Sequence, residues 1–218
     1  MRKRTFVVIG LDRFGSNLAI NLQKMGNEVI GIDADAENVR RISDDITHAA
    51  IGDPTDEGVL RTLGVKNADV AIVALTHDIQ SGVLVTLMLK EMGMKNVIAE
   101  STSDIHGRIL SRVGADKVIF PEKDMGERLA KSLSHTNIMD YIDLSDEYSI
   151  MEIRVPSGWA GKSLLELNVR ANHNITVIAR RDATGSIDLS PDPKAPLEAD
   201  STIVVIGPDK NIEQIIKN

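Results

Sequence analysis

The sequence predicts an α/β fold, with a doubly wound parallel sheet followed by a helical crossover and a small α+β lobe. Three observations carry this. Short β-branched runs alternate with helical segments over residues 1–140, the signature of a parallel sheet covered on both faces. A glycine-bearing turn joins the first such run to the first helix. Over residues 141–218 the pattern changes to short strands, turns and few helices, which sets the domain boundary.

Taken in order, TFVVIG at Thr5–Gly10 reads as a buried strand, and the helical pattern from Phe14 to Lys24 follows it. Further strands are predicted at Glu28–Asp33, Thr47–Ile51, Val70–Ala74, Asn96–Ala99 and Lys117–Phe120. The alternating helices are Ala36–Ser43, Asp56–Thr62, Ile79–Met92, Ile105–Arg112 and Asp124–Leu133, and Gly26, Gly64, Gly93 and Gly114 mark helix ends. IQSGVLVTLMLKEM is apolar on nearly all sides, which suits burial under a sheet or in a subunit interface. NIMDYIDLSDEYSIMEIRVP then passes from a helix through a polar stretch into a strand at Tyr148–Val155. A short helix after Gly161-Lys162-Ser163 is followed by strands at Ile175–Arg181, Ser186–Leu189 and Thr202–Ile206, and by a helix at Asp209–Lys217. SPDPKAP reads as a rigid surface connection.

Composition narrows the function classes. The 218 residues carry a net charge of -7, which argues against general nucleic-acid affinity. Without cysteine there is no disulfide, thiolate metal site or cysteine nucleophile. No apolar run approaches the ~20 residues that cross a bilayer, and the basic start MRKR is too brief for a signal peptide. A soluble, cytoplasmic protein is expected.

The first turn has the spacing Gly10-x-Asp12-x-x-Gly15, close to the glycine fingerprint of a Rossmann-like nucleotide site. Asp33 ends the second strand, where a carboxylate accepts hydrogen bonds from ribose hydroxyls and repels a 2′-phosphate. Asp53 ends the third, placed to accept from an adenine amine. The ALTHDIQS stretch lies at the switch point of the sheet. Asp12 stands where the fingerprint has its second glycine. A carboxylate ~4 Å from a phosphate oxygen costs about 4 kcal/mol at an effective dielectric of about 20. Arg13 or a divalent cation would offset it, and aspartate tolerates positive φ if the turn demands it.

VIGLDRFGSNLA, IGDPTDEGVLRTLGV, GADKVIFPEKDMGERLA and YIDLSDEYSIMEI together resemble KtrA/TrkA-type proteins, cytosolic regulators of potassium channels and transporters built from RCK domains (regulator of conductance of K+). The resemblance covers nearly the whole chain. It implies a regulatory subunit rather than an enzyme, a homodimer assembling into an octameric ring, and a membrane-embedded K+ channel or transporter subunit as partner at the inner face of the membrane. It implies ATP or ADP, in some members NAD(H), in the first domain. Gly10, Asp12, Arg13, Phe14 and Gly15 then fall on the phosphate loop, Asp33 on the ribose, Asp53 on the adenine, and Ala74 with Thr76 beside the nucleoside. Glu122 sits where some members place a carboxylate near the phosphates for Mg2+ or Na+. In the second lobe, SLLELNVRANHNITVI resembles the region that holds cyclic di-AMP, with Arg170 meeting a phosphate and Asn174, Ile175 and Pro191 lining the pocket. Two departures add negative charge near the phosphates: Asp12, and Glu100 where many members carry a basic residue.

The rival function is an NAD(H)-dependent oxidoreductase on the same fold. It needs a proton donor in a substrate pocket, and the five histidines are scattered without a Lys or Tyr at a recognisable spacing. Only His77, near the switch point, invites that role.

Overall fold

The computed structural model describes residues 2–134, 138–145 and 147–217. It folds as two compact units, the first ending at Asp124 and the second beginning at Met125. Strands β1 (Thr5–Ile9), β2 (Glu28–Asp33), β3 (His48–Ile51), β4 (Val70–Val73), β5 (Val97–Glu100) and β6 (Lys117–Ile119) form the sheet of the first unit. Their order is β3-β2-β1-β4-β5-β6 and every pairing is parallel. The predicted doubly wound sheet is thus the one observed. The chain winds outward from β1 to β3, returns to the other side of β1 at β4, and leaves its crevice between the carboxyl ends of β1 and β4.

The crossovers are α1 (Arg13–Lys24), α2 (Ala36–Ile42), α3 (Glu57–Thr62), α4 (Ile79–Glu91) and α5 (Asp104–Arg112). Asp35, Asp56, Asp78 and Ser103 each start a helix by accepting a backbone N–H of its first turn, which satisfies donors the helix itself leaves unpaired. Both faces of the sheet are buried. Val7, Ile9, Ile32, Leu60, Leu89 and Leu110 pack on one side, while Val8, Leu11, Ala19, Val29, Val39 and Ile42 pack on the other. Alternate residues of β1 therefore enter opposite cores, which is why its sequence is apolar without a break. Helix α4 is not buried all round: Val85 and Leu89 face the core, whereas Leu84 and Leu87 are exposed.

Helix α6 spans Pro121–Ser134 and starts three residues earlier than Asp124, where the sequence placed it. Proline suits a first turn because its missing N–H has no helical partner to lose. The second unit holds β7 (Ile138–Asp143), β8 (Tyr148–Arg154), α7 (Leu164–Leu167), α8 (Val169–His173), β9 (Thr176–Arg181), β10 (Ile187–Asp188), β11 (Thr202–Pro208) and α9 (Asp209–Lys217). Its strands form an antiparallel sheet in the order β10-β9-β11-β8-β7. Strand β7 corrects the sequence reading, which ran a helix into a polar stretch there. It pairs Tyr141 with Met151 and Ile142 with Ile150. Tyr141 points inward while Met139, Ile142 and Leu144 are exposed, so apolar residues on both faces hide the alternation a half-buried strand should show. The core is aliphatic, with Ile153, Ile203, Val205 and Ile212 all 0% exposed around Trp159.

Candidate functional site

Gly10 follows β1 at φ +91, and a Cβ there would lie 2.3 Å from the Ala74 carbonyl oxygen. A Cβ on Gly15 would lie 1.9 Å from the Gly10 carbonyl oxygen. Both positions need glycine, because the loop after β1 presses against the end of β4 and then against the first turn of α1. Gly10, Gly15 and Ala74, separated in sequence, therefore meet at the switch point. Phe14 and Thr76 are half-buried there and Arg13 is exposed.

Asp33 braces this loop. Its Oδ2 accepts Leu11 N at 2.7 Å and Asn38 Nδ2 at 3.2 Å, and its Oδ1 accepts Asp35 N at 2.8 Å. The neighbouring strand end is tied in by Gly52 N, which donates to the Asp33 carbonyl at 2.9 Å. Asp53 is exposed and accepts Thr55 N at 2.9 Å and Thr55 Oγ1 at 2.6 Å. Those bonds, the hydroxyl first, hold its pKa below the ordinary aspartate value.

Asp12 has φ -67 and ψ -159, so the turn does not call on the positive φ that the sequence reading allowed for. It is the N-cap of α1. Its Oδ1 accepts Phe14 N at 3.1 Å and Gly15 N at 3.2 Å, amides of the kind a helix N-terminus offers a phosphate.

Glu100 ends β5 at 8% exposure, and its buried Oε2 has no hydrogen-bond donor. Burial, then the charge of Asp12, then that of Glu122, push its pKa up to about 7. The folded carboxyl thus binds its proton more tightly than the unfolded one, near 4.5. Stability from this group is full below pH 4.5 and is lost as pH rises through 7. A Glu100→Gln variant is therefore expected to be more stable than the parent at pH 8, by roughly 1–2 kcal/mol after discounting for solvent screening. The difference should vanish in urea unfolding at pH 4.5. Glu122 is exposed in the first turn of α6. Among the described residues, no three His, Asp or Glu side chains gather to hold a metal ion.

The second unit carries an open groove of about 780 Å3. Asn168 at φ 44 and Asn174 at φ 53 bracket α8, and asparagine is among the few non-glycine residues that tolerate this conformation. The two turns set Arg170 on the groove wall. The SPDPKAP segment supplies another wall: Pro191 and Pro193 line the groove, and Leu165 N donates to the Pro193 carbonyl at 2.8 Å. Leu164, Ile178 and Leu189 make the rest apolar. Of the residues predicted from the sequence, Arg170 and Pro191 come together here. Asn174 and Ile175 do not line the groove, and Ile175 is 2% exposed in the core behind it.

Comparisons with known proteins cover both units. The TrkA-N domain model matches residues 6–121 and the TrkA-C domain model matches residues 150–218. Ktr system potassium uptake protein A of Bacillus subtilis is 40% identical, over 98% of this chain and 96% of that protein. Ktr system potassium uptake protein C of the same organism is 38% identical, over 99% and 97%. Among solved structures, the GsuK RCK domain superposes with a TM-score of 0.67 at 20% identity, covering all of this chain and 48% of that one. The GsuK channel bound to NAD gives 0.67 at 21%, over 99% and 40%. At these identities the likeness is one of fold, and this chain spans less than half of either.

Proposed function

Since this chain belongs to the family built from a TrkA-N and a TrkA-C domain, we propose that it is a cytosolic regulatory subunit of a potassium transport system. Its partner is a membrane-embedded K+ channel or transporter subunit, and it assembles on it as homodimers arranged in an octameric ring. The observation that carries this reading is end-to-end likeness to a potassium uptake protein at 40% identity, together with a glycine loop seated against Ala74 at the sheet's switch point. No helix among the described residues is long and apolar enough to cross a membrane; in this reading the ion pathway belongs to the partner.

In this reading the first unit is a sensor for an adenine compound rather than an enzyme. The purine and ribose take the Asp53 and Asp33 edge, and Phe14, Ala74 and Thr76 flank the nucleoside. Gating is a population shift, in which ligand favours one arrangement of the assembled subunits over another. A ten- to hundredfold preference supplies roughly 1.4–3 kcal/mol per site. Were the ligand to carry phosphates, a divalent cation or Na+ near Glu122 would be needed to neutralise their charge, with the ligand's own oxygens completing its shell.

The groove of the second unit is the proposed site of cyclic di-AMP. Its apolar walls suit a base, and Arg170 suits a phosphate. An Arg170→Ala variant is expected to bind cyclic di-AMP at least about tenfold more weakly with no change in melting temperature; equal affinity would remove Arg170 from the site.

Affinity capture of a potassium-transporting membrane subunit from the host, followed by ligand-dependent 86Rb+ flux through the reconstituted pair, tests the whole reading. Flux that ignores the presence of this chain would refute it.

A further inference from the structure

Three of the amides that a strand-to-helix glycine loop offers a phosphate are already used by this chain's own carboxylates. Phe14 N and Gly15 N donate to Asp12 Oδ1 at 3.1 and 3.2 Å, and Leu11 N donates to Asp33 Oδ2 at 2.7 Å. Gly10 N and Ser16 N are engaged as well, with the carbonyls of Ile32 at 2.9 Å and Asp12 at 3.0 Å. A phosphate arriving at the first turn of α1 must displace Asp12 to reach Phe14 N or Gly15 N.

Glu100 adds an independent observation. It is 8% exposed, its buried Oε2 meets no donor, and the charged groups acting on it are Asp12 and Glu122, both acidic. Within residues 10–15 the only cation is Arg13, whose side chain is exposed. The phosphate end of the crevice is therefore rich in acceptors. The nucleoside end is acidic too, but there the ligand brings donors: ribose hydroxyls and an exocyclic amine suit Asp33 and Asp53.

Resting on the sensor reading above, we infer that this site selects an adenine nucleoside whose 5′ end is neutral or positively charged, and that Asp12 and Glu100 are the residues that exclude a polyphosphate. Asp12 stands in for the ligand's phosphate, capping α1 from within the chain. Once ionised, Glu100 supplies an acceptor with no partner at Oε2, which a cationic or donor-bearing 5′ group satisfies and a phosphate does not. The loop keeps its nucleotide-binding geometry while its charge preference is inverted.

The test is equilibrium binding to the full chain in chelator, using adenosine, 5′-amino-5′-deoxyadenosine, ADP and ATP. The amino compound should bind most tightly and adenosine at least about tenfold more tightly than ATP, since one carboxylate ~4 Å from a phosphate is enough for a larger ratio. Asp12→Asn keeps an oxygen for the two amides and removes the charge, so it should narrow the adenosine-to-ATP gap by at least about tenfold. ATP binding as tightly as adenosine without metal would overturn the inference and leave the adenine sensor standing. Failure of every adenine compound to bind both proteins would overturn the inference and the sensor reading together.

Discussion

An Asp12→Gly variant should bind ATP about a hundred- to a thousandfold more tightly than the parent in calorimetry at neutral pH. Two effects add. Removing the carboxylate lifts a repulsion of about 4 kcal/mol at ~4 Å and an effective dielectric of about 20. It also frees Phe14 N and Gly15 N, which donate to Asp12 in the parent, for the phosphate. The folding cost is small, because glycine is itself a tolerated N-cap and loses only a few tenths of a kcal/mol against aspartate, roughly. A tightened complex with a nearly unchanged melting temperature is the expected pair of results. Unaltered ATP affinity would mean that the ligand's phosphates lie away from the first turn of α1.

The largest loss of stability is expected from Gly15→Ala. Its Cβ would sit 1.9 Å from the Gly10 carbonyl oxygen, and that oxygen is backbone, so no side-chain rotation relieves the clash. The loop must move off Ala74 or α1 must move off the sheet. Either disrupts packing around Val8, Leu11 and Ala19, which are fully buried. A cost of about 3–5 kcal/mol follows, or roughly ten to twenty degrees in the melting temperature of the first unit. Gly126→Ala is the control. A Cβ at that position would meet nothing within 4 Å, and the residue sits inside α6, so the change should be neutral or stabilising by about 0.5–1 kcal/mol. Equal melting temperatures for the two variants would show that the tight turn relaxes freely.

How far the sequence disclosed the molecule can be argued from particular stretches. The parallel sheet was legible because β1, at its centre, is buried on both faces, leaving the unbroken apolar run VVI at Val7–Ile9. Helix starts were legible to within a few residues where Asp35, Asp56 and Asp78 cap them. Strand β7 was not legible, since Met139 and Ile142 expose apolar side chains beside inward-facing Tyr141. In the glycine loop, spacing foretold the close approach of Gly10 and Gly15. It could not foretell that Asp12 turns back on its own helix, because that depends on the backbone geometry of the residue and not on its identity. Glu100 stood out as a departure in charge, yet only the fold brings it within reach of Asp12 and Glu122. In the second unit Arg170 and Pro191 meet across a groove, whereas Ile175 is spent on the core. One side of a β-branched strand residue looks like the other until the sheet is assembled.

The order of strands in the second sheet bears on biosynthesis. Strand β11, the last of its five to be synthesised, lies in the middle, between β9 and β8. By contrast, every strand of the first sheet has been made once Ile119 is joined. On a translating ribosome the amino-terminal unit can therefore close while its successor still lacks the piece that links its two halves. Until residues 202–208 clear the exit tunnel, β8 and β9 expose unpaired edges, and a premature stop upstream of them would leave a folded head on an adhesive tail.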